Sequence, residues 1–132
     1  MGERSRAAVG SYPRLNEGLR ASYKGERMSL PTDSAARKDL PIVTGVLDYF
    51  PDAIAAVAEC SRIGNEKHNP GQPLHWTREK STDHADCIGR HLIERGTMDA
   101  DGIRHTAHLA WRALALLQTE IEQGRANGTT TK

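Results

Sequence analysis

The sequence predicts a small all-α fold, a bundle of three main helices plus a short N-terminal helix, and three observations lead to this prediction. Apolar residues recur at helical spacing in three segments between positions 51 and 123, no segment alternates like a half-buried strand, and the chain has 132 residues. With 37% apolar residues, that length supports one domain and not two. Because the predicted helices offer little apolar area for a core, we expect a homo-oligomer in which a second copy completes the core.

The predicted domain spans residues 37–123 and is flanked by polar tails. Residues 1–36 are rich in glycine, serine, arginine and glutamate, so we expect a disordered or loosely attached N-terminal tail. Residues 124–132 form a polar C-terminal tail by the same argument. The N-terminus has no secretory hydrophobic segment, and no apolar run approaches the roughly 18 residues of a membrane span. We therefore expect a cytoplasmic protein with no membrane partner.

The formal net charge of +1 hides an uneven distribution. Residues 1–39 contain eight basic and five acidic side chains, whereas residues 40–122 contain eight basic and twelve acidic side chains together with all six histidines. A domain dedicated to nucleic acid usually has a basic stripe, so nucleic acid is not an expected partner. Cys60 and Cys87 are too few for a disulfide framework or a thiolate zinc site. The middle of the chain is thus the place to look for chemistry.

Residues that favour helix starts and helix ends predict the order of the elements in this middle segment. Residues 46–50 form a short apolar turn that ends at Pro51, and Pro51 opens a helix for which Gly64 and Asn65 are a plausible stop. Residues 66–76 follow as a loop with a strong turn signal at 69–71. The third helix is predicted over 83–95, with Ser81 or Thr82 as its cap and Gly96 as its end.

The last helix is predicted from Gly102 to about Gln123, with Asp99 or Asp101 as its cap. Its apolar residues lie almost all round the axis, which is typical of a central helix. His105, His108 and Arg112 share the spacing i, i+3 and i+7 on it. Metal ligation by the two histidines is one interpretation, but a hydrogen bond from His105 to a carboxylate or a phosphate is favoured.

Carboxylates on the third helix form a candidate metal site. Asp83, Asp86 and Arg90 are spaced i, i+3 and i+7, which aligns them on one face, and carboxylate oxygens are the ligands that Mg²⁺ prefers. The alternative is a solvated face whose charges pair with one another, and the spacing alone favours that alternative. For Trp76, stacking on a base and anchoring the core are equally supported.

Beyond these patterns, the chain from Arg37 to Glu122 resembles a known family. The resemblance is carried by short motifs, in order Lys38-Asp39-Leu40-Pro41, Tyr49-Phe50-Pro51-Asp52-Ala53, Gly64-Asn65-Glu66-Lys67-His68-Asn69-Pro70-Gly71, His75-Trp76, Lys80-Ser81-Thr82-Asp83, Asp86, Arg90-His91-Leu92, Asp101-Gly102, His105 and Ala110-Trp111-Arg112-Ala113-Leu114-Ala115-Leu116. With these motifs the chain resembles the dATP/dGTP diphosphohydrolase N-terminal-domain family of tailed bacteriophages.

The resemblance implies a phage protein that binds a purine deoxynucleoside triphosphate and converts it to the monophosphate and pyrophosphate with Mg²⁺ or Mn²⁺. It implies that Asp83 and Asp86 bind the metal and act in catalysis, and that Glu66 is an acid or base near the attacking water. It also implies a set of nucleotide-binding residues, namely Lys67, His68, Trp76, Arg90, His91 and His105.

Two other functions are compatible with the same residues. The chain lacks the Glu-x-x-Glu and Glu-x-x-Asp pair of MazG-type pyrophosphatases, and only Asp83-x-x-Asp86 resembles half of it. The first alternative is therefore a non-catalytic nucleotide-binding module, such as a phage sponge that sequesters a host nucleotide-derived immune signal. The second is an oligomeric helical protein whose histidines and aspartates serve packing and capping only.

Overall fold

The computed structural model describes residues 30–128, and within that range the chain is helical and contains no strand. Four α-helices follow one another: α1 (Ser34–Lys38), α2 (Pro51–His68), α3 (His84–Ile93) and α4 (His105–Gly128). A π-helical turn at Val43–Leu47 precedes α2, and a 3-10 turn at Arg78–Lys80 precedes α3. The predicted all-α class is confirmed. The predicted tails at 1–29 and 129–132 lie outside the described residues.

Helix α4 is the centre of the packing, as its apolar circumference predicts. It packs against both α2 and α3. The core that results is small: Cys60, Ile103 and Ala107 are buried, with Trp111 and Ile63 partly buried against them. Of the described residues, none with a large side chain is fully buried.

Several predicted boundaries were wrong. Helix α2 does not stop at Gly64 but continues to His68, because Arg62 bridges to Glu66 across this turn and the Asn65 side chain donates to Gln72 O at 3.0 Å. These contacts offset the cost of about 1 kcal/mol for a glycine inside a helix. Residues 66–68, predicted as loop, are therefore helical.

The other two main helices also differ at their ends. Helix α3 begins at His84 with Asp83 in the cap position, where its side chain makes no capping hydrogen bond, and ends at Ile93. Helix α4 begins at His105 and not at Gly102, because residues 98–104 form a tight turn before it. The described part of each predicted tail contains helix as well: α1 begins before residue 37, and α4 continues past residue 123 to Gly128.

Among the described residues no single helix is long and apolar enough to cross a membrane. The segments Ser34–Leu47 and Pro51–His68, bent by 89° relative to each other, meet the length and composition criterion only as a pair.

Candidate functional site

A cleft of about 420 Å³ opens between α2, the loop that follows it and α4. Its walls combine basic, acidic, imidazole and indole side chains. The lining includes Cys60, Lys67, His68, His75, Trp76, Lys80, His91, Asp99, Asp101, His108, Trp111 and Arg112. The volume lies within the range of about 300–1,000 Å³ that is usual for small-molecule sites.

A tight turn between α3 and α4 places two carboxylates beside the cleft. The Asp99 N–H donates to Ile103 O at 2.8 Å, and the Gly102 N–H donates to Asp99 O at 2.9 Å. Gly102 has a φ of 81°, in the left-handed region that favours glycine. The turn leads directly into α4, so Asp99 and Asp101 lie against the first turn of that helix.

His108 joins this turn to α2. Its Nε2 lies 3.0 Å from Asp101 Oδ2 and 3.6 Å from Asp99 Oδ2, while its Nδ1 lies 3.3 Å from Cys60 Sγ. One edge of the imidazole thus faces two carboxylates and the other faces a buried thiol. The ring orientation of His108 is therefore determined by contacts with two separate segments, the turn and α2.

Two further histidines meet on the same side of the turn. His91 Nδ1, in the last turn of α3, lies 3.0 Å from His105 Nδ1 at the start of α4. The His91 ring also stacks on His108, with 4.9 Å between centroids and 14° between planes. Glu94 adds a carboxylate oxygen 3.2 Å from His105 Nδ1. We call His91, Asp99, Asp101, His105 and His108 the acid–imidazole cluster.

Burial and neighbouring charges change the protonation equilibria in the cluster. Burial, followed by the nearby imidazoles of His108 and His105, lowers the pKa of His91. Burial alone would raise the pKa of Asp101, but hydrogen bonds from the Ile103 N–H and from His108 outweigh it, so that pKa is lowered. Burial and the charge of Asp101 raise the pKa of Cys60 to about 11, which keeps its sulfur a neutral thiol. These shifts favour an ionised Asp101 and a neutral His91.

The cluster contains two sets of ligand atoms that could hold a metal ion. One set is His91, Asp99 and His105, the other is Asp99, Asp101 and His108, and within each set the ligand atoms lie within 4.8 Å of one another. Asp99 belongs to both sets. The donor types, carboxylate oxygen and imidazole nitrogen, are those that bind divalent cations in proteins.

Basic side chains also line the cleft. The Lys80 Nζ donates to His68 O at 2.9 Å and to Asn69 Oδ1 at 3.0 Å, which attaches it to the end of α2. The Arg112 guanidinium donates to Ser81 Oγ and lies 3.2 Å from His84 Nδ1. The cleft therefore brings the cations Lys67, Lys80 and Arg112, which we call the basic wall, together with four members of the acid–imidazole cluster.

Trp76 lies among other rings. The Arg78 guanidinium is 4.1 Å from its ring centroid, and Trp111 contacts it edge to face at 5.7 Å. Although Trp76 lines the cleft, these neighbours favour the core-anchor interpretation over stacking on a base.

The predicted carboxylates of α3 lie elsewhere. Asp83 Oδ2 pairs with Arg90 at 3.0 Å, and both side chains are more than half exposed. Hydrogen bonds from Arg90 and Ser81 lower the pKa of Asp83 to about 2. Asp83, Asp86 and Arg90, which we call the Asp83 face, are absent from the cleft lining and from both ligand sets. The contacts match the solvated, self-paired alternative, while the metal role of Asp83 and Asp86 stays a prediction.

Of the remaining predicted residues, some lie in the cleft or in the acid–imidazole cluster and one lies outside both. Lys67 and His68 line the cleft, His91 lies in both the cleft and the cluster, and His105 lies in the cluster. Glu66 lies outside the cleft lining, where it pairs with Arg62 at 2.6 Å with 61% of its side chain exposed.

The members of the acid–imidazole cluster that sequence reasoning missed are Asp99, Asp101 and His108. The two aspartates resemble helix caps, and His108 was weighed as a ligand only together with His105. The signal that could have found them is the short interval Asp99-x-Asp101-Gly102 followed by His105-x-x-His108. Its glycine predicts a turn that brings the carboxylates back over the first helical turn.

A family model described as dATP/dGTP diphosphohydrolase, N-terminal, matches residues 32–128. Comparisons with curated proteins and with solved structures found no match. The matched range contains the whole cleft and the whole acid–imidazole cluster.

Proposed function

The chain belongs to the dATP/dGTP diphosphohydrolase N-terminal-domain family, and on that premise we propose that its cleft binds a purine deoxynucleoside triphosphate and hydrolyses it to the monophosphate and pyrophosphate. In this reaction water attacks the α-phosphorus, the bond from that phosphorus to the bridging oxygen breaks, and pyrophosphate leaves. The observation that carries the proposal is the pairing, within one cleft, of a basic wall with the acid–imidazole cluster.

The basic wall suits a triphosphate. Lys67, Lys80 and Arg112 can each donate charged hydrogen bonds to phosphate oxygens, and such bonds are shorter and stronger than neutral ones. Arg112 is preorganised by its contacts with Ser81 and His84, so it loses little side-chain freedom when a ligand binds. These groups would also stabilise the negative charge that develops on the phosphate oxygens during the reaction.

The acid–imidazole cluster suits a divalent cation of the kind that the family resemblance implies. One of the two ligand sets would hold the ion, because the ligand atoms of each set lie within 4.8 Å of one another. The sets are His91, Asp99 and His105, and Asp99, Asp101 and His108. When bound, such a cation acts as a Lewis acid towards phosphate oxygens and lowers the pKa of a bound water. Glu66 and Asp83 pair with exposed arginines and Asp86 is exposed outside the cleft lining, so the proposal assigns the reaction to the cluster instead.

Turnover of a nucleotide panel tests the proposal. Purified protein is incubated with each of the four deoxynucleoside triphosphates and Mn²⁺, and the products are separated by anion-exchange chromatography. We expect monophosphate and pyrophosphate from dATP and dGTP, and a loss of about tenfold in kcat/KM for Lys67→Gln, equivalent to about 1.4 kcal/mol. Lys38→Gln, an exposed lysine of α1 outside the cleft, is the matched control.

The outcomes separate hydrolysis from binding. A nucleotide that raises the melting temperature and is recovered unchanged would contradict hydrolysis and support the non-catalytic binding module. A panel in which no nucleotide shifts the melting temperature would contradict both. The phage origin and the cytoplasmic location stay predictions.

We also propose that the protein is a homo-oligomer. The segment before α2 exposes a row of large apolar side chains, and Tyr49 and Phe50 are 71% and 55% exposed. The exposed row comprises Leu40, Ile42, Val43, Val46, Leu47, Tyr49 and Phe50. So many exposed large apolar side chains within residues 40–50 are unusual for a free surface, and a second copy would supply the burial that the small core lacks.

Light scattering coupled to size-exclusion chromatography tests this association. We expect a mass of at least two chains for the unmodified protein and of one chain for Val46→Glu. Thr44→Glu introduces the same charge at a polar, exposed position of the same turn and is the control. A single-chain mass for the unmodified protein would contradict the proposal.

A further inference from the structure

The acid–imidazole cluster differs from a magnesium site in its donors. The set of His91, Asp99 and His105 has two imidazoles and one carboxylate, and the set of Asp99, Asp101 and His108 has one imidazole and two carboxylates. Mg²⁺ is held by oxygen ligands and keeps several waters, whereas imidazole nitrogen suits the later first-row transition metals. The imidazole donors of the cluster therefore favour a transition-metal ion over Mg²⁺.

The approach of the two histidines supports the same conclusion. His91 Nδ1 and His105 Nδ1 face each other at 3.0 Å. Two facing nitrogens can share only one proton in a hydrogen bond, so one of them must present a lone pair. A cation bound between His91, His105 and Asp99 would use the lone pairs of both imidazoles and the charge of the carboxylate at once.

The surroundings of His108 match those of a metal-ligating histidine. Such a ring usually presents one nitrogen to the metal while the other is held by a neighbouring group. His108 Nε2 faces Asp101 and Asp99, and its Nδ1 lies 3.3 Å from the Cys60 thiol. Cys60 is thus a positioning residue for His108, and its own side chain is buried where α2 packs against α4.

From these observations we propose that the acid–imidazole cluster binds a first-row transition-metal dication, with Asp99 as the shared ligand, in preference to Mg²⁺. The inference deepens the proposed function, on which it rests for the role of the ion in phosphate chemistry. The binding itself can be measured without any turnover. Of the Mg²⁺ and Mn²⁺ expected from the family resemblance, the inference disfavours Mg²⁺, and it ranks ions that bind imidazole more strongly, such as Fe²⁺, Co²⁺ and Zn²⁺, ahead of Mn²⁺.

Co²⁺ is a suitable probe because its visible absorption reports its ligands. Metal-free protein, prepared with a chelator, is titrated with Co²⁺ and separately with Mg²⁺ in a calorimeter, and the Co²⁺ titration is repeated in a spectrophotometer. We expect a new visible band and a Kd for Co²⁺ at least about a hundredfold below that for Mg²⁺, because imidazole ligands favour the transition metal. Equal affinity for the two ions would overturn the proposal.

Two buried histidines provide a matched pair of variants. His105 is 7% exposed and His84 is 5% exposed, and each is the first residue of its helix, but only His105 belongs to a ligand set. We expect His105→Gln to weaken Co²⁺ binding by at least about tenfold, and His84→Gln to leave it unchanged. Equal Co²⁺ affinity in both variants, together with unchanged circular dichroism, would overturn the assignment of the site.

A third variant keeps the test decisive if His105→Gln fails to fold. Asp99 lies on the turn with a side chain about one-third exposed, so Asp99→Asn preserves its shape and removes the negative charge of the shared ligand. We expect Asp99→Asn to abolish the Co²⁺ band, and an unchanged band would overturn the proposal. Co²⁺ binding without nucleotide turnover would contradict the proposed function alone, whereas turnover with no preference for Co²⁺ over Mg²⁺ would contradict this inference alone.

Discussion

The acid–imidazole cluster and the Asp83 face contain similar side chains but differ in how the chain assembles them. Asp86 and Arg90 lie on α3 and Asp83 is its cap residue, and the spacing that aligns them also lets Asp83 and Arg90 pair in solvent at 3.0 Å. The cluster takes His91 from α3, two aspartates from a turn and two histidines from α4. The difference teaches that charges aligned on one helix satisfy one another, whereas charges brought together from separate segments can leave ligand atoms for an ion.

The largest expected effect is on activity, and it compares one aspartate from each region. Asp99→Ala removes a carboxylate shared by both ligand sets, so we expect kcat/KM for dATP to fall by at least about a hundredfold. Asp83→Ala removes an exposed partner of Arg90, and we expect a change of less than about twofold. Steady-state kinetics measure both variants. An equal loss of kcat/KM in the two would contradict the assignment of the activity to the cluster and not to the Asp83 face.

The second effect concerns the backbone that supports each region. An added Cβ at Gly102 or at Gly89 would meet nothing within 4 Å, so only backbone conformation distinguishes the two sites. Gly102 has a φ of 81°, and we expect Gly102→Ala to lower the free energy of unfolding by about 1–2 kcal/mol. Gly89 lies within α3, and Gly89→Ala should raise the free energy of unfolding by about 0.5–1 kcal/mol.

Urea denaturation measures both glycine variants. Opposite signs of the two changes would confirm that the turn is held in a conformation specific to glycine. Stabilisation by Gly102→Ala would contradict that role. Metal affinity measured on the same samples shows whether the backbone strain of Gly102→Ala displaces Asp99 and Asp101 from their positions as ligands.

The third effect compares an ion pair between segments with the pair on the Asp83 face. Arg78 donates twice to Glu122, at 2.8 and 3.0 Å, and both side chains are mostly buried. This pairing lowers the pKa of Glu122, so the stabilisation is present above the ordinary pKa of 4.5 and is lost as the pH falls through the lowered value. We expect Glu122→Gln to cost about 1 kcal/mol at neutral pH and nothing in strong acid.

Denaturation over a range of pH checks this prediction. Glu120→Gln, two residues away on the exposed side of α4, is the control and should show no comparable change. A cost for Glu122→Gln that is the same in acid and at neutral pH would contradict an electrostatic origin.

The smallest effect is on the Asp83 face itself. Because Arg90 and Ser81 lower the pKa of Asp83 to about 2, Arg90→Gln should move that pKa up towards its ordinary value of 3.8. The melting temperature at neutral pH should not change measurably, since the pair is exposed. Carboxyl titration by NMR tests the first statement, and an unchanged pKa would show that Arg90 is not the partner in solution.

Much of the fold could be predicted from the sequence because its signals are local. Pro51 opens α2, and the apolar circumference of α4 predicts its place between α2 and α3. The helix ends were less predictable, because side chains of other segments determine them. The continuation past Gly64 depends on Arg62 and on contacts between Asn65 and the following loop.

The candidate site likewise contains residues that the sequence indicates and residues that only the packing of other segments reveals. Lys67, His68, His91 and His105 were found from the sequence, since the family resemblance marks them. Asp99 and Asp101 resembled helix caps, because a cap and a ligand on a turn use the same residue type.

By itself, the sequence determined an all-α domain, its family, its central helix and an acidic, histidine-bearing middle segment. Only the tertiary structure decided which of the charged groups meet. Helical periodicity is a property of neighbours along the chain, whereas a ligand set depends on the packing of α3 and α4 and on the turn between them. That packing leaves Asp83 paired with Arg90 in solvent and brings Asp99 within reach of three histidines.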